Sequence, residues 1–145
     1  MKLILKHFSA LTPSELYKII QARIAVFVVE QNCPYQELDG KDIDAWHLWY
    51  EDDEGVAAYV RLLDKGVSYD DACSIGRVIT IKRGTGLGLK LMNEAVRLVR
   101  EKYDCHKIRI GAQLYAKGFY EKAGFIQSGG EYLEDGIVHI EMINE

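Results

Sequence analysis

The stretch that decides the fold is Arg83-Gly84-Thr85-Gly86-Leu87-Gly88, in which three glycines alternate with larger residues. Residues 73–81 before it are typical of a β-strand, whereas the apolar residues after it recur with a helical period. A glycine-rich turn from strand to helix aims several backbone N–H groups at one point, beside the positive end of the helix dipole. The stretch therefore predicts a phosphate-binding turn, with an ordinary structural turn as the alternative.

The spacing of these glycines separates the turn from two other phosphate-binding loops. Gly84-x-Gly86-x-Gly88 lacks the final two-residue gap of the dinucleotide fingerprint. No Gly-Lys-Ser/Thr follows, as a nucleoside-triphosphate loop requires. Both of these nucleotide-binding interpretations are therefore excluded.

The helices and strands around the turn indicate a single domain over residues 1–145. Thr12-Pro13-Ser14-Glu15 forms a capping box with proline at the first helical position, which predicts a helix from Pro13. The most regular helical pattern follows the glycine turn. Residues 32–44 are expected to form a loop or a short irregular helix, and the predicted strands cover residues 2–8, 46–50, 56–63, 73–81, 107–110 and 137–143, with a short helix over 114–123. This order implies an α/β (α+β) fold with a mixed sheet and helices on its faces.

Charge is divided unevenly along a chain whose net charge is −4. Residues 24–60 hold nine acidic residues against one base, and residues 77–109 hold nine bases against three acids. An anionic ligand should therefore lie against the second region and a cationic ligand against the first. The negative total argues against a nucleic-acid partner, whose phosphates require a basic face.

Composition points to a location in the cytoplasm and to no membrane partner. The longest clean apolar run, residues 24–29, is far shorter than the roughly 20 residues that cross a bilayer. Charged residues interrupt the apolar residues at the N-terminus too early for a signal peptide. Cys33, Cys73 and Cys105 are odd in number and widely spaced, so they are expected to be reduced thiols, with no metal site.

Several motifs together resemble one enzyme family. Arg83, Gly86 and Gly88 match the pyrophosphate loop of the GNAT acetyltransferases. The motifs that extend the resemblance to the ElaA-like branch of that superfamily are Arg23-x-x-Val26-Phe27-Val28-x-Glu30-Gln31, Cys33-Pro34-Tyr35-x-Glu37-x-Asp39-Gly40-x-Asp42, Gly76-Arg77-Val78, Ala112-Gln113, Phe119-Tyr120-Glu121-Lys122-x-Gly124-Phe125 and Tyr132-Leu133-Glu134-Asp135-Gly136-Ile137-x-His139. One departure is that only four residues separate Val78 from Arg83, about two fewer than the family pattern, so either the turn is tighter or the strand ends earlier.

The resemblance implies a mostly antiparallel sheet with helices on both faces and acetyl-CoA as the acyl donor. It implies that the backbone of Val78, Ile79 and Thr80 pairs with the pantetheine arm like an added strand. It assigns the pyrophosphate to the amides of Arg83, Gly84, Thr85, Gly86, Leu87 and Gly88, with the Arg83 side chain adding charge-assisted bonds. Gln113 matches a family position that holds the arm, although a polar residue ending a strand would look the same.

Acetyl transfer to an amine needs a neutral nucleophile, a stabilised oxyanion and a proton for the departing thiolate. Tyr120 matches the family tyrosine that acts as the general acid, and a backbone N–H near Val78 can stabilise the oxyanion. A buried tyrosine packed under the turn is the alternative for Tyr120. The candidates for the general base are Glu30, His47, Glu131 and His139, unless water relays the proton. No sequence feature supplies the partner base that a cysteine acyl carrier would need.

The predicted reaction is therefore direct acetyl transfer, in a ternary complex, to the primary amine of a small molecule. The acidic stretch from Glu30 to Glu54 favours a cationic amine, with Glu30 and His47 as acceptor-binding residues and Glu37 as a further choice. A non-catalytic module that binds acetyl-CoA and regulates a partner is the alternative, and Arg23-x-x-Val26-Phe27 raises a third, an N-acylhomoserine-lactone synthase. The sequence leaves the oligomeric state open, with a homodimer as one possibility.

Overall fold

The computed structural model describes all 145 residues, and its larger sheet comes from the first half of the chain. The four strands β1 (Lys2–His7), β2 (Trp46–Asp52), β3 (Gly55–Leu63) and β4 (Ser74–Thr80) lie in that order and are antiparallel throughout. The predicted hairpin of residues 46–50 and 56–63 is confirmed, with its register fixed by pairs such as Leu48 with Val60.

A second sheet follows from the C-terminal half. Its strands are β5 (Ile108–Gln113), β6 (Ile126–Glu134) and β7 (Ile137–Asn144), with β7 in the centre and antiparallel to both neighbours. The two sheets meet through a parallel bridge between Cys73 and Ile108, where Cys73 N–H donates to the Lys107 carbonyl at 3.1 Å and Arg109 N–H donates to the Cys73 carbonyl at 2.9 Å. Beyond this bridge β4 and β5 are not paired, so the two sheets separate toward the strand ends.

The helices begin where the sequence predicts. Helix α1 (Pro13–Ile24) starts with the full capping box, in which the Thr12 hydroxyl accepts from Glu15 N–H at 3.1 Å and the Glu15 carboxylate accepts from Thr12 N–H at 2.9 Å. A π-helical segment, Ala25–Glu30, continues it. The remaining helices are α2 (Leu87–Tyr103) and the short α3 (Lys117–Lys122), with 3₁₀ turns at Phe8–Ala10, Lys41–Asp44 and Leu114–Ala116.

Two helices cover opposite faces of the first sheet. Along β3, Ala58, Val60 and Leu62 face one side, as the period of two in a strand requires, and they pack in one core cluster with the apolar face of α2. Tyr59 faces the other side and packs with Ile19 of α1. Burying each large apolar side chain contributes about 1.5–3 kcal/mol, so both faces stabilise the sheet. The predicted α+β fold, mostly antiparallel with helices on both faces, is confirmed.

The predicted strand 107–110 is longer in the structure and runs to Gln113, which matters for the site because Gln113 ends the strand. No helix in the structure is long and apolar enough to cross a membrane.

Candidate active site

A cleft of about 1230 Å³ opens where β4 and β5 separate. The edge of β4 forms one wall from Ser74 to Thr80, and Gly111 and Gln113 of β5 belong to the other. The lining also includes the π-helical end of α1, parts of the loop that follows it, the end of β3, Ser68 and Tyr69, the region of α3, and the β6–β7 hairpin. Since β4 has no strand partner along this edge, its backbone groups face an open space in which an extended ligand can pair with them.

A β-bulge alters β4 in the middle of this wall. Gly76 pairs with Arg61 and Ile79 pairs with Tyr59, so Arg77 and Val78 together lie opposite a single residue of β3. Arg77 has φ +51°, a value that non-glycine residues rarely adopt. A bulge leaves backbone groups outside the ladder and is common beside active sites, which makes the Val78 backbone available to the cleft.

Arg83, the first residue of the glycine turn, lines the cleft, and Thr85, Gly86 and Leu87, which follow it closely in the chain, line a smaller cavity; we call this region the turn end. Gly84 and Gly86 have φ +79° and +77°, the left-handed conformation for which glycine carries no steric penalty. Gly86 is the residue that caps α2, and no side chain satisfies the first N–H groups of this helix. Gly88 does not have a positive φ, but a Cβ at this position would lie 2.5 Å from Thr80 Oγ1. Glycine is therefore required here by close packing against β4.

The short connection from Val78 to Arg83 is explained by a tight turn. The strand continues to Thr80, and the amides of Ile81 and Lys82 both donate to the carbonyl of Ala57, at 2.8 and 3.1 Å. Thr85 Oγ1 also donates to the Lys82 carbonyl at 3.1 Å. The turn is therefore compact and the strand keeps its length.

Two contacts span the mouth of the cleft beside this turn. The Arg83 guanidinium donates to both carboxylate oxygens of Glu30, at 2.5 and 2.9 Å, and this pairing lowers the pKa of Glu30. The side-chain amides of Gln31 and Gln113 exchange hydrogen bonds at 3.1 and 3.2 Å. Two predicted cofactor-binding side chains, Arg83 and Gln113, are thus each held by a residue at the end of the π-helical segment. We refer to these two contacts as the clasp.

Tyr120 lies in the cleft at the start of α3, partly buried between two aromatic rings. Its ring makes edge-to-face contacts with Phe119 and Phe125, with centroids 5.1 and 5.9 Å apart. Burial raises the pKa of Tyr120, so the hydroxyl keeps its proton at neutral pH. A protonated phenol in a mostly apolar setting is suited to donate that proton.

The expectation that His47 binds the acceptor is wrong. His47 is 0% exposed and does not line the cleft, because on β2 it shares the face of Trp49, under α1. Its ring contacts Tyr59 Oη at 2.7 Å and the Asp42 carbonyl at 3.0 Å, and burial lowers its pKa. Glu131 also lies outside the cleft, exposed on β6, so neither residue is placed to act as the base.

Four of the nine acidic residues in the acidic stretch are paired with arginines, which the sequence did not reveal. Three guanidinium groups and three carboxylates form one network beneath the cleft: Arg23, Arg61, Arg77, Glu37, Asp39 and Asp42. Glu37, a predicted acceptor-binding choice, is 2% exposed and held by Arg23 and Arg77. The motif with Arg23 thus serves the fold and does not identify an acceptor.

The three cysteines are free and buried, and they offer no activated thiol. Burial raises the pKa of Cys73 to about 12, so its thiolate is scarce at neutral pH. Cys33 lines the cleft, but its Sγ contacts the Asp135 carbonyl at 3.2 Å with no basic side chain beside it.

Of the sequence-predicted bases, Glu30 and His139 line the cleft; Glu30 is paired with Arg83, whereas Nε2 of His139 makes no hydrogen bond. Its neighbours Ile140 and Met142 have both side chains in the core, whereas Val138 is exposed. Because side chains alternate along a strand, His139 faces the other way from Ile140 and into the cleft.

Comparisons with known proteins agree with this geometry. A family profile described as "Acetyltransferase (GNAT) domain" matches residues 14–145. Protein ElaA of Escherichia coli strain K12 is 39% identical over 143 residues, which cover 96% of this chain and 93% of that protein, and its crystal structure matches at a TM-score of 0.90 over 99% of both chains. The crystal structure of an acyl-CoA N-acyltransferase from Pseudomonas aeruginosa matches at a TM-score of 0.91, with 39% identity over 100% of both chains.

Proposed function

Because this chain belongs to the GNAT acetyltransferase family, we propose that it transfers an acetyl group from acetyl-CoA directly to the primary amine of a small molecule. The observation that carries the proposal is the uncapped N-terminus of α2, preceded by two left-handed glycines, close in the chain to Arg83, which lines the cleft that also holds Tyr120. An anion-binding helix end and a proton donor in one cleft are the two parts that acyl transfer from a phosphate-bearing thioester needs.

The residues at the turn end fit the acyl donor. The N–H groups of Gly84, Thr85 and Gly86 have no acceptor within the protein, and those of the first turn of α2 are free by geometry. These amides and the Arg83 side chain would hold the pyrophosphate once Glu30 releases Arg83. The free edge of β4 at Val78, Ile79 and Thr80 would pair with the pantetheine arm, and Gln113 would contact it from β5.

Acetyl-CoA supplies a thioester whose carbonyl carbon accepts the amine and whose sulfur leaves as a thiolate. Tyr120 protonates the leaving sulfur: its raised pKa makes the phenol a weaker acid than usual but keeps its proton in place at neutral pH, so that the proton is available to the thiolate as it forms. The backbone N–H at Val78, freed by the bulge, stabilises negative charge on the carbonyl oxygen. The buried cysteines take no part, so transfer is direct and both substrates are bound together.

Thiol release measured with a panel of primary amines tests this proposal. We expect the protein to release CoA from acetyl-CoA in the presence of an amine such as 1,4-diaminobutane, with a matching mass increase of 42 Da, that of one acetyl group replacing a hydrogen. Butan-1,4-diol at the same concentration is the control acceptor. Binding of acetyl-CoA without thiol release for any amine would instead support the regulatory-module alternative.

A further inference from the structure

Resting on the proposed acyl transfer, we propose that the part of the cleft lined by the β6–β7 hairpin and Tyr69 is the acceptor site for a protonated amine, and that His139 Nε2 is the base that deprotonates it. We call this the acceptor end, formed by His139, Tyr132, Glu134 and Tyr69.

Strand register brings two of these side chains together. Tyr132 of β6 is the direct partner of His139 of β7, and their rings stack with centroids 5.7 Å apart and planes 27° apart. Gln113 of β5 is the partner of His139 on the other side. His139 therefore lies between the strand that ends at the clasp and the strand that carries the aromatic partner.

The contacts of the ring define which nitrogen is basic. Nδ1 of His139 lies 2.7 Å from the Ile137 carbonyl, and a carbonyl only accepts, so Nδ1 carries the proton. In the neutral ring Nε2 then has the lone pair. Its nearest polar neighbour is Glu134 Oε2 at 3.5 Å, too long for a hydrogen bond, while the residue as a whole is only 7% exposed. A buried imidazole thus presents an unused acceptor to the cleft.

Two phenol groups converge beside it over a glycine. A Cβ at Gly111 would lie 2.4 Å from Tyr132 Oη and 3.8 Å from Tyr69 Oη. Tyr69 is itself held by Arg109, whose guanidinium carbon is 5.6 Å from the ring centroid. Only glycine leaves room for the Tyr132 hydroxyl above β5, and the rings of Tyr132 and Tyr69 are of the kind that can contact a cation.

The charges that face His139 favour a cation. From β6 they are Glu134 and the Tyr132 hydroxyl, and Asp135 follows in the turn. From β7 itself comes Glu141, which is neutralised by Arg109 of β5. Burial raises the pKa of Tyr132 to about 12 and also raises the pKa of Tyr69. The negative charges of Glu134 and Glu141 add to both increases. Burial disfavours a charge of either sign, whereas the carboxylates of Glu134 and Glu141 favour an ammonium group.

The chemistry balances with the groups named. His139 Nε2 takes one proton from the bound ammonium, and the lone pair of the neutral amine then forms the C–N bond as the C–S bond breaks. Sulfur leaves with the electron pair of that bond and takes the proton of Tyr120. The Tyr120 phenolate recovers a proton from the new amide nitrogen, and the proton held by His139 passes to solvent.

Replacing His139 by glutamine tests the base, because the glutamine amide can still donate to the Ile137 carbonyl. We expect kcat/KM for 1,4-diaminobutane to fall by about 10²–10⁴-fold, with loss of the acid limb of its pH profile, while acetyl-CoA affinity is unchanged. His106→Gln is the matched control, since His106 is exposed and outside the cleft. An unchanged rate and acid limb in His139→Gln would overturn the assignment.

Binding without acetyl-CoA tests the acceptor end independently of turnover. In NMR titrations with 1,4-diaminobutane, the His139 imidazole resonances should shift while those of His106 do not, and Glu134→Gln should weaken this binding. Glu131→Gln is the matched control, the same change on the same strand outside the cleft. Equal effects of Glu134→Gln and Glu131→Gln would overturn the site.

The two proposals fail in different ways. If wild-type protein releases no CoA with any amine, the proposed acyl transfer fails. If it releases CoA normally and His139→Gln does so with an unchanged pH profile, the transfer stands and only the acceptor end is wrong. Both variants are checked for native circular dichroism, and Glu134 is exposed enough that its variant is expected to fold.

Discussion

The two ends of the cleft are made from different parts of the chain. The turn end is backbone: two left-handed glycines and the free amides of a helix start. The acceptor end is side chain: an imidazole, two phenols and a carboxylate carried by β6, β7 and the 64–73 connection. The first depends on six consecutive residues and the second on strand register, so the first is visible in a sequence and the second becomes visible only in a structure. Variants that affect one end and spare the other test this division.

Tyr120→Phe should give the largest effect, because Tyr120 serves the reaction between the two ends. We expect kcat to fall by about 10²–10⁴-fold, with acetyl-CoA affinity nearly intact, since only the proton of the leaving thiolate is lost. Steady-state kinetics and calorimetry on the same preparation measure both quantities.

The pH profile sharpens this test. The pKa of Tyr120 is raised by burial, so the hydroxyl of the wild type should stay protonated, and kcat should stay flat, up to at least about pH 10, where an ordinary tyrosine titrates. An unchanged kcat in Tyr120→Phe would mean that water or another group protonates the leaving thiolate. Tyr17→Phe, at an exposed site on α1 outside the cleft, is the control.

Gly86→Val should break the turn end alone. The left-handed conformation costs a branched residue about 1–2 kcal/mol, and the side chain blocks the approach of a phosphate, so acetyl-CoA affinity should fall at least about tenfold. The control is Gly66→Val, which introduces the same strain at φ +88° in a turn outside the cleft. Equal affinities for the two variants would remove the role assigned to the glycine turn.

Gly111→Ala should break the acceptor end alone. The new methyl group would displace Tyr132, and loss of one cation–π contact of about 1 kcal/mol predicts a rise in the KM for 1,4-diaminobutane of about fivefold. Acetyl-CoA affinity should not change. Gly130→Ala, with open space around its Cα, is the control, and a loss of cofactor affinity in Gly111→Ala would contradict the separation of the two ends.

Glu30→Gln should give the smallest effect and reports on the clasp. An exposed ion pair contributes little, so freeing Arg83 should tighten acetyl-CoA binding by no more than about fivefold. Glu121→Gln, on the exposed side of α3, is the control. Weaker binding in Glu30→Gln would mean that Glu30 orients Arg83 for the cofactor instead of competing with it.

Much of the fold follows from local signals. The capping box at Thr12 and Glu15 and the helical period after Gly86 fix two helices, because each depends on neighbours within four residues. The end of α1 is harder to predict from the sequence, because the run of β-branched residues at 24–29 disfavours a regular helix. In the structure this run forms a π-helical segment. That segment ends at the clasp, so a local irregularity marks part of the site.

The side-chain part of the site was less accessible to sequence reasoning. His139 could be proposed as a base, but His47 was equally plausible, and only the structure shows which strand face each occupies. The acidic stretch predicts a site that attracts cations, but in the structure Arg23, Arg61 and Arg77 form salt bridges with its carboxylates. These pairings join residues 14 to 40 positions apart, and their sequence separation carries no signal that they meet.

The most direct test of the account is a calorimetric titration of CoA into the wild-type protein with and without saturating 1,4-diaminobutane, at ionic strength matched with KCl. If the turn end and the acceptor end are separate, CoA binds in both titrations with a similar Kd, as direct transfer in a ternary complex requires. Loss of CoA binding in the presence of the diamine, but not of matched KCl, would show that the two ligands share one site and would contradict the account.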